Sequence, residues 1–204
     1  MNMKKFAKTV LKTKQCTFYA FDNGAAALSN GYAVYLLPDV APPQNDEQLR
    51  VLVDIPEDKW LDVDSGLLPG YRDGTAGFVN LSTITYGEEM LQPMKFTMLF
   101  RGVMESEKGR LVFFDEMLLS PLADDLKRKD AGIRYAARND ILSGEYYIVV
   151  QDGLDRVLGA ILPLKVKMKD ICQDIAEFEA KCVAEMERRN IKAQTMQSWR
   201  SNNL

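Results

Sequence analysis

The sequence predicts an α+β protein, mostly antiparallel sheet, with two pseudo-repeated helix-plus-meander units and a long C-terminal helix. Two observations support this prediction: apolar segments separated by Asx-Gly turns, and segments whose apolar residues recur every three or four positions. The chain has 204 residues, which suits one large domain or two small ones. We divide it into a first unit with an irregular insertion, a second unit, and a C-terminal helix with a polar tail: residues 1–92, 93–167 and 168–204.

The first unit begins with a short helix that is apolar on one side and basic on another. Within residues 3–11, Phe6 and Val10 lie four positions apart and can share a buried face. A second face carries lysines every four residues, at Lys4, Lys8 and Lys12. Such a row is commonly a solvated helix face, but it can also contact phosphates.

A three-stranded meander is expected after this helix. Its strands are residues 17–21, 25–29 and 32–38, and its two turns are Asp22-Asn23-Gly24 and Asn30-Gly31. Asn-Gly between apolar runs is a strong hairpin signal, because glycine readily adopts the positive φ that tight turns need.

The insertion that follows is predicted from weaker patterns. Residues 49–55 alternate between apolar and polar and end at Pro56, which favours a further strand. Residues 57–86 are rich in glycine, and we expect irregular strands and loops there.

The second unit is predicted to contain a hairpin, a helix and three strands. The hairpin spans residues 95–114, and the helix begins near Ser120 with Pro121 in its first turn. The strands are expected at residues 133–137, 146–150 and 157–166.

The C-terminal segment has the pattern of an amphipathic helix of roughly 25 residues. Its apolar residues recur at three- and four-residue steps, at Met168, Ile171, Ile175, Phe178 and Cys182. This stripe can pack on the protein's own core or on a partner helix. Trp199 stands in the polar tail beyond it and could be a docking residue.

Composition excludes several classes of function. Charged residues make up 27% of the chain, and the net charge is −3. The chain contains no histidine, which excludes Ser-His-Asp and Cys-His catalysis and histidine-ligated metal sites. No P-loop or dinucleotide-binding glycine motif is present. We therefore expect a protein without a cofactor and rank enzymatic functions last.

Cysteine usage and hydropathy predict the compartment. The odd, sparse set of Cys16, Cys172 and Cys182 is not a disulfide framework and fits a reducing cytoplasm. No apolar run approaches the ~20 residues that span a bilayer, so no membrane association is expected. Cys16 lacks a histidine to activate it, and we expect a packed thiol.

The first meander is echoed later in the chain. An aromatic strand, an Asx-Gly or Asp-Gly turn, a glycine, an apolar strand and a Leu-Pro stop occur in residues 18–38 and again in residues 146–163. A basic cluster precedes each copy, the second being Lys127, Arg128 and Lys129. Shared turn chemistry between unrelated hairpins is the alternative to a duplication.

The echoed segments resemble the repeating unit of DNA sliding clamps. The resemblance rests on the helix, the Asp22-Asn23-Gly24 turn and the segment Leu28-Ser29-Asn30-Gly31-Tyr32. Residues 158–165 look like the apolar-Pro-apolar-basic strand that closes bacterial clamp subunits. The resemblance covers residues 4–38 and 115–166.

The resemblance implies a ring of subunits, with sheets outside and helices lining a channel that holds double-stranded DNA. It suggests a non-enzymatic, homo-oligomeric, DNA-associated protein, of the kind a phage or mobile element could carry. Its phosphate contacts would be independent of DNA sequence and weakened by salt. The expected phosphate-contacting residues are Lys4, Lys8, Lys12, Lys127, Arg128 and Lys129.

Two other hypotheses stay open. The protein could be an interaction or structural module that captures a protein partner through its C-terminal helix, with Ile171, Ile175, Phe178 and Trp199. It could also be an enzyme that uses Asp54, Asp62 and Asp64 with Mg²⁺, an ion that prefers oxygen ligands.

Overall fold

The computed structural model describes most of the chain up to residue 166 and single residues beyond it. The described residues are 1–37, 40–70, 74–77, 79–82, 88–98, 101–127, 132–139 and 145–166, together with residues 172, 175, 176 and 180; for 95–98 and 101 only the backbone is described. Two compact units are distinguished, Met1–Leu164 and Lys165–Leu204. The fold below is that of the first unit.

Helices are few and short in this unit. They are α1 (Met3–Thr13), α2 (Asp46–Val53), α3 (Glu57–Trp60) and α4 (Ala123–Leu126), and a 3-10 helix (Glu116–Leu122) leads directly into α4. The 3-10 helix and α4 together are called the 116–126 segment below. Within the described part of the chain, none of the helices is long and apolar enough to cross a membrane.

Strands are the main regular structure of the described chain. These are β1 (Gln15–Ala20), β2 (Ala26–Ser29), β3 (Ala33–Leu37), β4 (Asp64–Pro69), β5 (Thr75–Ala76), β6 (Val79–Asn80), β7 (Glu89–Met98), β8 (Arg101–Ser106), β9 (Leu111–Asp115), β10 (Arg134–Asn139), β11 (Tyr146–Gln151) and β12 (Val157–Ile161).

Ten of these strands form one mixed sheet. Their order is β4-β1-β2-β3-β12-β11-β10-β7-β8-β9, and β5 and β6 form a separate two-stranded sheet. The pairing of β1 with β4 is parallel, whereas the other described pairs in the large sheet are antiparallel. The two sequence-distant meanders therefore meet at the β3–β12 pair.

The predicted fold class was wrong. The described residues form one continuous mixed sheet with few helices, rather than two helix-plus-meander units, because the β1-β2-β3 meander and a β10-β11-β12 meander are joined at the β3–β12 pair. Sequence patterns define single strands and hairpin turns, but they do not specify that the last strands of two meanders pair and merge them into one sheet. Of the predicted long C-terminal helix, only residues 172, 175, 176 and 180 are described, and the rest of 168–204 lies outside the described residues.

Two local predictions are also corrected. Residues 49–55 are not a strand, because α2 covers most of them: the Asn45 side chain accepts a hydrogen bond from the Gln48 N–H (2.9 Å) and caps the helix. The helix expected near Ser120 is instead the 116–126 segment, which begins at Glu116 in 3-10 geometry and contains Pro121.

The helices cover one face of the sheet. Phe6 and Val10 of α1, Leu49 of α2 and Leu118 and Leu122 of the 116–126 segment are buried in one core cluster. Side chains from β1 to β3 and from β7 to β12 complete this cluster. Successive side chains of a strand point to opposite faces of the sheet, so only alternate residues of each strand enter this cluster.

Residues 74–77 and 79–82 cover part of the opposite face. Ala76, Val79 and Leu81 are buried against Val34 and Val149 in a second, smaller cluster. The large sheet is therefore covered on both faces near its centre, and its central strands are buried on both sides.

Tyr35 joins the middle of the sheet to the helical face. Its ring meets the Phe6 ring edge-on, with centroids 5.6 Å apart. Its hydroxyl donates to the Leu118 carbonyl at 2.6 Å. Burial, reinforced by the charge of Asp115, raises the pKa of Tyr35, so the phenol stays protonated and keeps its donor.

Gly159 of β12 allows the β3 backbone and the Tyr35 ring to approach closely. It pairs with Tyr35 in the β3–β12 ladder. A Cβ at Gly159 would lie 2.7 Å from the Val34 carbonyl oxygen and 3.2 Å from the Tyr35 ring. Glycine within a strand commonly marks such a close approach of another backbone.

Gly159→Ala should destabilise the protein, because the added methyl group must displace the β3 backbone. We expect the free energy of unfolding to fall by about 1–3 kcal/mol, the usual cost of overpacking. Gly66→Ala is the control, since a Cβ there would be 3.8 Å from its nearest neighbour in Thr17. Urea denaturation at low protein concentration measures both; equal effects would contradict the assignment.

Tyr35→Phe should also lower stability, because it leaves the buried Leu118 carbonyl without its donor. The expected loss is about 1–3 kcal/mol, the cost of an unsatisfied buried polar group. Tyr32→Phe is the matched control, as Tyr32 is 53% exposed. Thermal denaturation of the two variants should separate them, and an unchanged Tm for Tyr35→Phe would show that the bond adds nothing.

Candidate nucleic-acid interface

The lysine row lies on the outer face of α1. The Asn2 side chain caps this helix by accepting from the Lys5 N–H at 3.1 Å. Phe6 and Val10 are fully buried, which orients the helix on the sheet. Helical periodicity then places the lysines of positions 4, 8 and 12 on the solvent side, where all three are exposed.

The 116–126 segment packs beside α1 on the same face of the sheet. The Asn2 N–H donates to the Pro121 carbonyl at 2.7 Å. The Asn2 side-chain amide donates to Asp124 Oδ2 at 2.8 Å. One residue therefore caps α1 and joins it to the neighbouring helical segment.

Two acidic side chains, Asp124 of this segment and Asp115 at the end of β9, lie close to lysines of α1. Lys12 Nζ lies 3.2 Å from Asp115 Oδ2, and Lys5 Nζ lies 3.9 Å from Asp124 Oδ1. The Asn2 hydrogen bond, aided by the charge of Lys5, holds the pKa of Asp124 below its ordinary value. Asp124 therefore remains charged and keeps partly neutralising Lys5.

These ion pairs are weak competitors for a phosphate. Exposed pairs typically contribute about 0–1 kcal/mol, and the Lys12 side chain is 61% exposed. We therefore expect Lys12 to remain usable for phosphate contact at reduced strength. Lys4 and Lys8 have no ion-pair partner among the described residues and are the strongest cationic positions of the row.

The second predicted basic cluster is only partly described. Lys127 directly follows α4 and is exposed, whereas Arg128 and Lys129 lie outside the described residues. The 116–126 segment itself carries Glu116, Asp124 and Asp125. Its helical surface is thus more acidic than that of α1, which sequence reasoning did not anticipate.

The predicted partner-binding residues fall in the C-terminal region. Ile175 is 48% exposed. Ile171, Phe178 and Trp199 lie outside the described residues, so the interaction-module hypothesis stays a prediction.

The carboxylates considered for Mg²⁺ are not gathered. Asp54 ends α2 in a left-handed conformation, Asp62 pairs with Lys14 at 3.4 Å, and Asp64 begins β4. In the described part of the chain, no group of three or more acidic, cysteine or histidine side chains is placed to hold a metal ion.

Cys16 is a packed thiol, as predicted. Its side chain is fully buried. Burial, with a smaller contribution from the charge of Asp46, raises the pKa of the Cys16 thiol to about 12. The thiol is protonated near neutral pH and is a poor nucleophile.

Comparisons with known proteins add no family to this description: no family model, no curated protein and no solved structure matches the chain. The candidate interface therefore rests on the side chains of α1 and of its neighbours.

Removing the acidic partners should strengthen binding to double-stranded DNA. In an Asp115→Asn/Asp124→Asn variant, Lys12 and Lys5 lose their counter-charges while asparagine can retain the hydrogen bonds. We expect the slope of log K against log salt to become steeper by up to about 0.9 for each lysine freed. Fluorescence anisotropy with a labelled duplex over a salt series measures this slope.

The matched control is Asp58→Asn/Asp155→Asn, which changes the net charge equally on other elements. Asp155 pairs with Arg134 at 3.0 Å, away from α1 in sequence. If the control steepens the slope as much, overall charge explains the effect and the acidic partners of α1 have no special role.

Proposed function

We propose that this protein is a non-enzymatic, cytoplasmic, DNA-associated protein resembling a sliding clamp. It contacts the phosphates of double-stranded DNA through the exposed lysine row of α1. The observation that carries the proposal is that Lys4 and Lys8 are exposed and, among the described residues, unpaired. Both lie on the exposed face of α1, whose N-terminus is capped and whose opposite face is buried. Neither lysine has an ion-pair partner in that part of the chain.

The charge of the lysine side chains suits a phosphate contact that is independent of DNA sequence. An ammonium group is a compact point charge that can approach a phosphate from many directions. Successive lysines on one face of a helix lie about 6 Å apart, comparable with the spacing of phosphates along a strand. A net charge of −3 is compatible, because basic residues need only be concentrated on the contacting face.

The position of α1 also supports the proposal. The clamp resemblance implies helices that lie together on one side of a sheet and face DNA. Here α1 and the 116–126 segment pack side by side on one face of the sheet, joined through Asn2. The proposal assigns the phosphate contacts chiefly to α1, and Lys127 adds a further exposed charge at the end of α4.

Lys4→Ala/Lys8→Ala tests the proposal directly. Two lost phosphate contacts should reduce the steepness of log K against log salt by about 1.8, at roughly 0.9 per contact. Lys12→Ala should have a smaller effect, since Asp115 already neutralises part of its charge. The measurement is duplex binding by anisotropy at several salt concentrations.

Lys59→Ala/Lys108→Ala is the control with the same change in net charge. Lys59 is exposed on α3 and Lys108 is exposed in the β8–β9 turn. An unchanged slope in Lys4→Ala/Lys8→Ala, or an equal change in the control, would remove α1 from the interface and with it the support for DNA binding.

A further inference from the structure

The strand β4 is the open edge of the large sheet. It pairs with β1 on one side, and no other described strand pairs with it. The opposite edge, β9, is engaged beyond its ladder with β8, because the Leu164 N–H donates to the Phe113 carbonyl at 2.7 Å. Unpaired strand edges are templates for another strand.

The hydrogen bonds from β4 to β1 show which backbone groups of β4 point toward β1 and which point outward, toward the open edge of the sheet. Asp64 N–H donates to the Lys14 carbonyl and Gly70 N–H donates to the Ala20 carbonyl. Because strand residues alternate in direction, the even positions face β1. Ser65 and Leu67 therefore direct their N–H and C=O groups outward, and Pro69 directs only a carbonyl.

We propose that β4 pairs with β4 of a second copy of this chain, antiparallel, with Leu67 opposite Leu67. In this register the Leu67 N–H of each copy donates to the Leu67 carbonyl of the other. The Ser65 N–H of each copy donates to the Pro69 carbonyl of the other. Pro69 thus accepts a hydrogen bond, and its missing N–H leaves only the Ser65 carbonyl without a bond across the pair.

The side chains of β4 favour the same register. Leu67 lies beside Phe18 on the helical face and Leu68 lies beside Tyr19 on the opposite face. These leucines are 37% and 49% exposed. Pairing sets the two Leu67 side chains against each other and places each Leu68 opposite Gly66, which has no side chain in the way.

Charge does not oppose this pairing. Asp64 of each copy lies opposite Gly70 of the other, so no like charges face each other along the strand. The apolar layers on both faces of the sheet then continue across the two-fold axis.

A single paired strand buries little surface, and interfaces below about 1,200 Å² are weak or transient. We expect a reversible dimer that forms at high protein concentration.

Sedimentation of the full chain over a concentration series tests the pairing. From low micromolar to near-millimolar concentration, the weight-average mass should rise from 23.1 kDa toward twice that value and stop there. A mass that never leaves the monomer value overturns the proposal. Growth beyond a dimer also overturns it, because it indicates head-to-tail association.

Leu67→Lys should weaken the dimer at least about tenfold, because it sets two ammonium groups opposite each other on paired strands. Leu111→Lys is the matched control on β9, where Leu111 is 45% exposed. Circular dichroism verifies that both variants fold. A dimer that survives Leu67→Lys, or is lost equally in Leu111→Lys, overturns the assignment to β4.

Cross-linking keeps the test valid if the lysine variant fails to fold. With Cys172 and Cys182 replaced by serine, Leu67→Cys should form a disulfide-linked dimer under mild oxidation. Directly opposed residues of a hydrogen-bonded pair have Cα atoms about 5.5 Å apart, within the range of a disulfide. Leu111→Cys should stay monomeric, and the absence of a cross-link at position 67 overturns the register.

The proposal is independent of DNA binding. The lysine row of α1 and the β4 edge share no residue, so Lys4→Ala/Lys8→Ala should leave the concentration dependence of the mass unchanged. Failure of the DNA proposal would appear in the salt slope, whereas failure of the pairing would appear in the mass and the cross-link.

Discussion

The close pairing of β3 with β12 is the constraint on which the rest of the structure depends. At this pair the two meanders become one sheet, and Gly159 lets the Tyr35 ring and the neighbouring backbone approach. Tyr35 then reaches the 116–126 segment through the Leu118 carbonyl and meets Phe6 of α1. A single side chain thus couples the sheet centre to both helical elements that form the candidate interface.

The candidate interface is defined by neighbouring charges as much as by the lysines themselves. Asn2 joins α1 to the 116–126 segment, and this contact brings Asp124 beside Lys5 while Asp115 meets Lys12. Lys4 and Lys8 remain unpaired within the described residues. The packing that orients the basic row therefore also makes its lysines unequal. The positive charge of a lysine is partly neutralised where an acidic side chain lies close to it.

Local patterns predicted the elements whose signals agree with one another. The helical periodicity of residues 3–11 predicted a helix, and α1 forms there, with Asn2 as its cap; the first meander also forms as predicted. In α2 the signals conflict, because Leu49 and Val53 satisfy both a strand alternation and a helical four-residue step. The Asn45 cap resolves the conflict in favour of a helix.

The order of residues was sufficient to predict α1, its basic face, the hairpin turns and the packed thiol of Cys16, because neighbours along the chain determine helical periodicity, turn formation and burial tendency. The sheet order and the ion pairs needed the folded chain. Lys12 and Asp115 are separated by 103 positions, and no local pattern specifies that they meet. The same is true of Gly159 and Tyr35, whose contact depends on which strands become neighbours in the folded sheet.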